Sequence, residues 1–147
     1  MSLLQTIKEL FTRRKARQSA QSSELTAFIY IKVPADIGPL DRGEKYEDPL
    51  ELKLGEAGLG HVSGGGSQLS DKRSDGSQAI EFCGLDVEVT DLEKALVLLR
   101  TELPRLGIPE GTQLHYTIGD AKLQDAFERG SWVVAQARTF LHPGFGI

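Results

Sequence analysis

Two runs of alternating apolar and polar residues constrain the fold of this chain more than any other feature. The first covers residues 25–33 and the second covers residues 79–89. Successive side chains of a β-strand point to opposite faces, so a period of two predicts a strand with one face in the core. Because these runs are the most apolar segments of the chain, we expect them to be the central strands of a sheet.

The second run changes phase in its middle. Its apolar side chains follow one phase before Cys83 and the other phase after Gly84. One extra residue, a β-bulge, would restore a single buried face, and glycine is a usual bulge residue. We therefore predict a bulge at this point. It directs four side chains to the sheet face away from the helices: Glu81, Cys83, Asp86 and Glu88.

Two helices are predicted between the strands. Residues 48–57 begin with Asp48 as N-cap, followed by a proline in the first turn. Residues 90–103 begin with a capping box formed by Thr90 and Glu93, and their leucines recur on one helical face. Both segments therefore predict helices that pack on the sheet.

Two shorter strands complete the predicted pattern, at residues 60–63 and 112–118. A glycine and serine loop over residues 64–67 would lead from the shorter of these strands toward residues 79–89. The order is then strand, helix, strand, strand, helix, strand, as in the ferredoxin-like βαββαβ fold. We predict an α+β sandwich in which two helices cover one face of a four-stranded antiparallel sheet.

The 147 residues are predicted to form one folded domain with an extension at each end. We place a basic amphipathic helix and a linker at residues 1–23, the ferredoxin-like domain at 24–118, and an extension packed on it at 119–147. Residues 119–130 fit either a hairpin or a helix. Residues 131–141 carry apolar side chains at helical spacing and predict a further helix.

The net charge of −4 is unevenly distributed along the chain. Residues 1–17 hold five basic side chains and one acidic one, so the other 130 residues carry −8. A domain of that sign repels the phosphate backbone, which argues against a nucleic-acid partner. Residues 3–17 have one apolar face beside a basic cluster. They could contact an anionic membrane surface, contact a partner helix, or pack on their own domain.

The chain is predicted to be cytoplasmic. No stretch approaches the roughly 20 apolar residues of a membrane-spanning helix. In the N-terminal segment the basic cluster follows the apolar residues, which is the reverse of a secretory signal. Cys83 is the single cysteine, so an intrachain disulfide and a zinc site built from several thiolates are both excluded.

No metal or cofactor is predicted. His61, His115 and His142 are far apart in the sequence, with no pair at the spacing of helical metal ligands. The glycine loop at residues 64–67 is not followed by a helix that begins with lysine, as a phosphate-binding loop would be. The sequence therefore offers no recognisable catalytic or nucleotide-binding motif.

We predict a recognition surface on the sheet face away from the helices. Tyr30 and Lys32 of the first strand share that face with the acidic side chains that the bulge directs there. An acidic rim around a tyrosine fits a basic protein, because aromatic side chains anchor interfaces. The predicted function is non-catalytic binding of a basic protein partner, with a homodimer as the alternative assembly. The predicted binding residues are Tyr30, Lys32, Glu81, Asp86 and Glu88.

Three alternatives use the same face. In a small hydrolase, Cys83 or a pair of carboxylates would act as nucleophile or general base together with His115. A small-molecule-sensing domain is the second alternative. In the third, the face is solvated, Lys32 pairs across the strands with Asp86 or Glu88, and the C-terminal extension covers it.

Three segments hold most of the predicted turn and capping residues: EAGLGHVSGGGSQL, IEFCGLDVEVTDLEKALVLLR and LGIPEGTQLHY. Together they resemble a family of small uncharacterised bacterial proteins, some of which accompany toxin systems as presumed immunity proteins. The resemblance covers about residues 25–116. It implies a ferredoxin-like fold and a cytoplasmic binding role, and it implies no active-site residues.

Overall fold

The computed structural model describes residues 27–142. Within this range six β-strands form one antiparallel sheet in the order β2-β3-β1-β4-β5-β6. The strands are β1 (Ala27–Val33), β2 (Gly60–Leu69), β3 (Ile80–Val89), β4 (Gln113–Ile118), β5 (Ala121–Glu128) and β6 (Ser131–Ala137).

The helical segments lie in the two connections that flank β2 and β3. Helix α1 (Pro39–Arg42) continues through a π-helical turn (Gly43–Glu47) into helix α2 (Asp48–Ala57), and helix α3 (Leu92–Arg105) joins β3 to β4. Asp91 caps α3, because its carboxylate accepts a hydrogen bond from the Lys94 amide at 3.0 Å. The predicted capping box is therefore wrong at Thr90, whose hydroxyl donates to the Leu59 carbonyl instead.

The core lies between the helices and one face of the sheet. Alternate residues of the two central strands are fully buried there: Ile29, Ile31, Val33, Leu85, Val87 and Val89. The helical segments cover them with Tyr46, Leu50, Leu54, Leu96, Leu99 and Leu103. Removal of these side chains from water is the main stabilising contribution. The remaining alternate residues of the strands point to the opposite side, which we call the open face.

The α+β class is confirmed, but the prediction of a four-stranded ferredoxin-like sandwich is wrong, since the sheet has six strands. The error lies in the C-terminal extension, where residues 131–141 do not form a helix. Arg129 and Gly130 both have positive φ, 52° and 79°, and they join Glu128 directly to its pairing partner Ser131. A two-residue turn of this kind matches the twist of a hairpin, so the chain continues as β6.

The bulge predicted at Cys83 and Gly84 is wrong as well. The register between β1 and β3 is continuous from Ala27 opposite Val89 to Val33 opposite Cys83. Cys83 therefore points into the core, where it is fully buried. No slip is needed because Phe82, the apolar residue of the other phase, is covered on the open face by aromatic contact with Phe140.

β2 is longer than predicted. It has ten residues, and the glycine run over residues 64–66 lies within the strand and not at a hairpin tip. The register with β3 shifts between Val62 and Gly64 and again between Gln68 and Leu69. β2 is the terminal strand of the described sheet, so only β3 pairs with it.

No helix within residues 27–142 is long and apolar enough to cross a membrane. The predicted leader at residues 1–23 lies outside the described part of the chain. Membrane contact by residues 3–17 therefore stays a prediction.

Candidate binding site

A row of paired residues crosses the middle of the open face. Asp86 of β3 pairs with Gly64 of β2 on one side and with Tyr30 of β1 on the other, and Tyr30 pairs with His115 of β4. Directly paired residues of antiparallel strands share a face, with Cβ atoms roughly 5 Å apart. The structure therefore brings Tyr30 and Asp86 together, and Glu88 lies on the same face two residues further along β3.

Asp86 and Glu88 differ in their partners. Glu88 lies 3.1 Å from the His61 ring nitrogen of β2. In the part of the chain that the structure describes, no hydrogen bond or ion pair reaches the Asp86 carboxylate. Burial raises the pKa of Asp86, and the negative charge of Glu88 raises it further. Asp86 is thus a half-buried carboxylate without a positive partner. We call Asp86 and Glu88 the acidic patch.

Tyr30 forms the wall of the acidic patch on the β1 side. The hydroxyl end of its ring lies so close to Gly84 that a Cβ at Gly84 would overlap it. An aromatic ring that covers a cross-strand glycine replaces the packing that the glycine lacks. Burial is the main cause that raises the pKa of Tyr30 to about 12, and the nearby Asp86 and Cys83 add to it. The phenol is therefore neutral beside the carboxylate at neutral pH.

Lys32 does not pair with the acidic patch. Its neighbour across the β1–β3 ladder is Gly84, and its ammonium group lies 4.5 Å from the Phe82 ring centre and 4.8 Å from that of Phe140. Both distances are within the range of a cation–π interaction. The predicted cross-strand ion pair of Lys32 with Asp86 or Glu88 is therefore wrong, which leaves the Asp86 charge uncompensated.

Residues 138–142 cross the open face after β6, and we call them the C-terminal segment. Arg138 anchors this segment through hydrogen bonds to the carbonyl groups of Leu123, Phe140 and Tyr116. Phe140 contacts Phe82 and covers the Lys32 ammonium. The ring of His142 lies 4.5 Å from that of Tyr30. The predicted cover by the C-terminal extension is thus present over Tyr30 and Lys32.

Two histidines join the C-terminal segment to the sheet. His115 Nδ1 lies 2.7 Å from His142 Nε2, and His115 Nε2 lies 2.8 Å from Gln113 Oε1. The amide oxygen accepts, so Nε2 of His115 carries the proton and Nδ1 accepts from His142. Burial lowers the pKa of His115 to about 3 and that of His142 to about 4, with further lowering by Arg138 and Lys32. Both rings are therefore neutral at neutral pH.

A cavity of about 290 Å³ lies beside the acidic patch, between β2, β3 and the C-terminal segment. Its walls include Tyr30, Gly66, Phe82, Asp86, Phe140 and His142. The cavity thus combines aromatic surface, glycine backbone and one unpaired carboxylate. Sequence reasoning missed Phe140 and His142, because the helix predicted for residues 131–141 gave them no place on this face.

The structure separates the residues of the predicted hydrolase. Cys83 points to the helical side of the sheet, whereas His115 points to the open face. Burial is the main cause that raises the pKa of the Cys83 thiol. Nucleophilic cysteines require the opposite shift. Glu81 is exposed at the start of β3, beside the register irregularity and outside the acidic patch.

Among residues 27–142, no group of three His, Cys, Asp or Glu side chains is placed to hold a metal ion. Comparisons of the chain with protein-family models, with curated proteins and with solved structures give no match. The candidate site therefore has to be interpreted from its own geometry.

Proposed function

We propose that this domain binds a basic protein partner through the acidic patch. The observation that carries the proposal is the Asp86 carboxylate, which lies half-buried on the open face and forms no ion pair with any of residues 27–142. Lys32, the nearest candidate on β1, is held over the Phe82 and Phe140 rings instead. A positively charged side chain of a partner would form the ion pair with Asp86 that Lys32 does not form.

The electrostatic cost of the acidic patch supports the proposal. Two carboxylates that lie close together on one face of a sheet each disfavour the ionised form of the other. Burial and Glu88 together disfavour the ionised form of Asp86. A cation bound to Asp86 offsets the repulsion and forms a charge-assisted hydrogen bond with the carboxylate. The unfavourable electrostatic free energy of the unbound domain is therefore recovered in the complex.

The charge of the whole domain supports a basic partner as well. Residues 27–142 contain 12 basic and 19 acidic side chains. A negative field of this kind steers positively charged partners toward the domain and repels acidic ones. The resemblance to bacterial immunity proteins and the cytoplasmic location, both inferred from sequence, fit this role and belong to the same proposal.

The binding residues that we retain are Asp86, Glu88 and Tyr30. Tyr30 supports the acidic patch from the side, and its ring is partly covered by His142. Lys32 and Glu81 take other roles: Lys32 holds Phe82 and Phe140 together, and Glu81 is a solvated side chain near the end of the β2–β3 ladder. Charge complementarity at Asp86 and Glu88 therefore carries the proposed contact.

Charge reversal tests the proposal. The immobilised domain is incubated with a cell extract, and retained proteins are compared for the wild type, Asp86→Lys, Glu88→Lys and Asp120→Lys. Asp120 lies in the turn between β4 and β5, so its reversal changes the net charge equally at a distant place. We expect basic proteins that the wild type and Asp120→Lys retain and that both patch variants lose. Retention by all four would contradict the proposal.

The cavity favours a second function, the sensing of a small molecule. Binding pockets for small ligands typically have roughly 300–1,000 Å³, so the cavity of about 290 Å³ is at the lower limit. A set of small organic cations tests this alternative by thermal unfolding. A rise in Tm that Asp86→Asn abolishes would support sensing, whereas an unchanged Tm with every compound would leave protein binding as the function.

A further inference from the structure

We infer that the basic partner binds as an added β-strand along the outer edge of β2 and directs a lysine or arginine side chain over Gly64 to Asp86. This inference rests on the proposed function, because it specifies how the acidic patch is reached. It names an extended basic segment as the part of the partner that docks.

The edge of β2 is available for strand addition. Within residues 27–142, β2 pairs with β3 alone and residues 65–69 are exposed. Side chains satisfy two backbone groups of β2: the Glu51 carboxylate accepts from the Val62 amide, and the Gln68 side-chain amide donates to the Leu69 carbonyl. Proteins protect exposed edges with lysine, proline or β-bulges. Residues 63–69 contain no lysine or proline, and residues 64–68 lie between the two register shifts of β2. Backbone hydrogen bonds along such an edge provide affinity for an extended peptide.

Glycine opens the path from this edge to the acidic patch. Gly64 pairs with Asp86, and a Cβ at Gly64 would lie 3.1 Å from an Asp86 carboxylate oxygen. Neighbouring strands lie about 4.8 Å apart, so an added strand would be roughly 10 Å from β3. Only a long side chain spans that distance, and at Gly64 no side chain of β2 stands in its way.

The chemistry of the cavity selects a positive charge for that long side chain. Tyr30, Phe82 and Phe140 supply aromatic surface, and Asp86 supplies the one carboxylate. The Lys32 ammonium group already occupies the Phe82 and Phe140 rings. A lysine or arginine head group of the partner therefore binds on the Asp86 side of the cavity, through a charge-assisted hydrogen bond to the carboxylate.

Charge complementarity also decides against a second copy of this chain as the occupant. Two β2 edges that pair with each other would place the Glu51 carboxylates of both copies at the shared edge and would supply no cation to either Asp86. Like charges across strands are destabilising. The carboxylates that would repel a second copy of this chain attract a basic extended segment.

Three capped peptides serve as probes: alternating threonine and lysine, alternating threonine and glutamate, and the lysine peptide with N-methyl groups on alternate residues. Binding is measured by fluorescence anisotropy, and the contact is located by amide hydrogen exchange of the full chain. We expect the lysine peptide to bind and to slow exchange at residues 63–68. The glutamate peptide should not bind, and N-methylation, which removes strand pairing, should abolish protection.

Matched variants separate the two levels of the proposal. Asp86→Asn should lower the affinity for the lysine peptide about tenfold, and Asp120→Asn should leave that affinity unchanged.

One outcome overturns strand addition and leaves the proposed function intact: the peptide binds in a way that depends on Asp86, N-methylation has no effect, and residues 63–68 gain no protection from exchange. Peptide binding that is insensitive to Asp86→Asn, together with unchanged capture by the charge-reversal variants, overturns the proposed function itself. Absence of any binding by the lysine peptide overturns the inference.

Discussion

At the scale of single residues, three side chains decide the chemistry of the open face. Asp86 has no cation partner among residues 27–142, burial raises the pKa of Tyr30 to about 12, and Lys32 is held by two aromatic rings. The absence of a side chain at Gly84 leaves room for the Tyr30 hydroxyl and leaves Lys32 without a carboxylate opposite it.

Removal of the Asp86 charge should stabilise the unbound domain. The pKa of Asp86 is raised in the folded state, so ionisation above the unfolded value of about 3.9 costs stability, and the cost disappears as the pH falls below that value. We expect Asp86→Asn to raise the free energy of unfolding by about 0.5 kcal/mol at neutral pH. Urea unfolding at neutral and acidic pH measures the effect, which should vanish in acid. Destabilisation by Asp86→Asn at neutral pH would contradict an uncompensated charge.

A methyl group at Gly84 should displace Tyr30. The added Cβ overlaps the ring, so we expect Gly84→Ala to cost about 1–3 kcal/mol. Gly66 is the matched control, because a Cβ there meets no atom within 4 Å. Chemical unfolding of both variants tests the packing, and equal stability of Gly84→Ala and Gly66→Ala would show that Tyr30 does not lie on Gly84.

At the scale of elements, the C-terminal hairpin is held to the helical layer by a buried carboxylate. Asp125 of β5 accepts hydrogen bonds from Arg100 of α3 at 2.8 Å, from the Tyr116 hydroxyl at 2.7 Å and from the Ala135 amide at 2.9 Å. Asp125 is fully buried. One side chain thus joins α3, β4, β5 and β6.

Loss of this carboxylate should destabilise the domain strongly. A buried ion pair that loses one partner leaves the other charge uncompensated, so we expect Asp125→Ala to cost about 3 kcal/mol. The exposed pair of Lys53 and Glu56 provides the control, and Glu56→Ala should change stability by less than about 0.5 kcal/mol. Thermal and urea unfolding compare the two variants. A cost for Asp125→Ala as small as that for Glu56→Ala would contradict the role of the network.

The attachment of the C-terminal segment should weaken in acid. The pKa values of His115 and His142 lie below the unfolded value of about 6.5, so the folded state binds protons less readily than the unfolded chain. Stability is complete above about pH 6.5 and declines as the pH falls toward 4 and 3. Lys32 of β1, Lys122 of β5 and Arg138 are the cations that face this pair.

Replacement of the two rings tests this pH dependence. The double variant His115→Asn with His142→Asn should lose most of the decline between pH 6.5 and 4, at a lower stability overall. His61→Asn is the control, since His61 lies on β2 away from the C-terminal segment. An unchanged slope of unfolding free energy against pH in the double variant would contradict the account.

The sequence predicts the strands β1 and β3, and it predicts the faces of β1 and of residues 85–89. It does not predict the faces of residues 80–83 or the end of the sheet. The alternation of apolar and polar residues within β1 is enough to place Tyr30 and Lys32 on the open face. Asp86 and Glu88 reach that face too, although the bulge invoked for them is absent. The helix predicted for residues 131–141 is wrong, because their apolar spacing fits a helix as well as a bulged strand followed by a covering segment. The turn at Arg129 and Gly130 decides between the two.

At the scale of the whole molecule, the open face divides into two parts of opposite character. Toward β2 lie the acidic patch and the glycine-rich edge. Toward β5 lie Lys122, Arg138 and the C-terminal segment that covers Lys32 and His115. The described residues carry a net negative charge, which attracts a basic partner. The partner then contacts the part of the open face near β2 that the C-terminal segment does not cover.

The central claim is that Asp86 forms a direct contact with a basic side chain of the bound segment. A double-mutant cycle measures this contact, with Asp86→Asn in the domain and one lysine of the threonine–lysine peptide replaced by norleucine. Affinities of the four combinations give the coupling free energy. We predict a coupling of about 1 kcal/mol or more for one lysine position and none with Asp120→Asn. Coupling free energies near zero at every lysine position would contradict the claim.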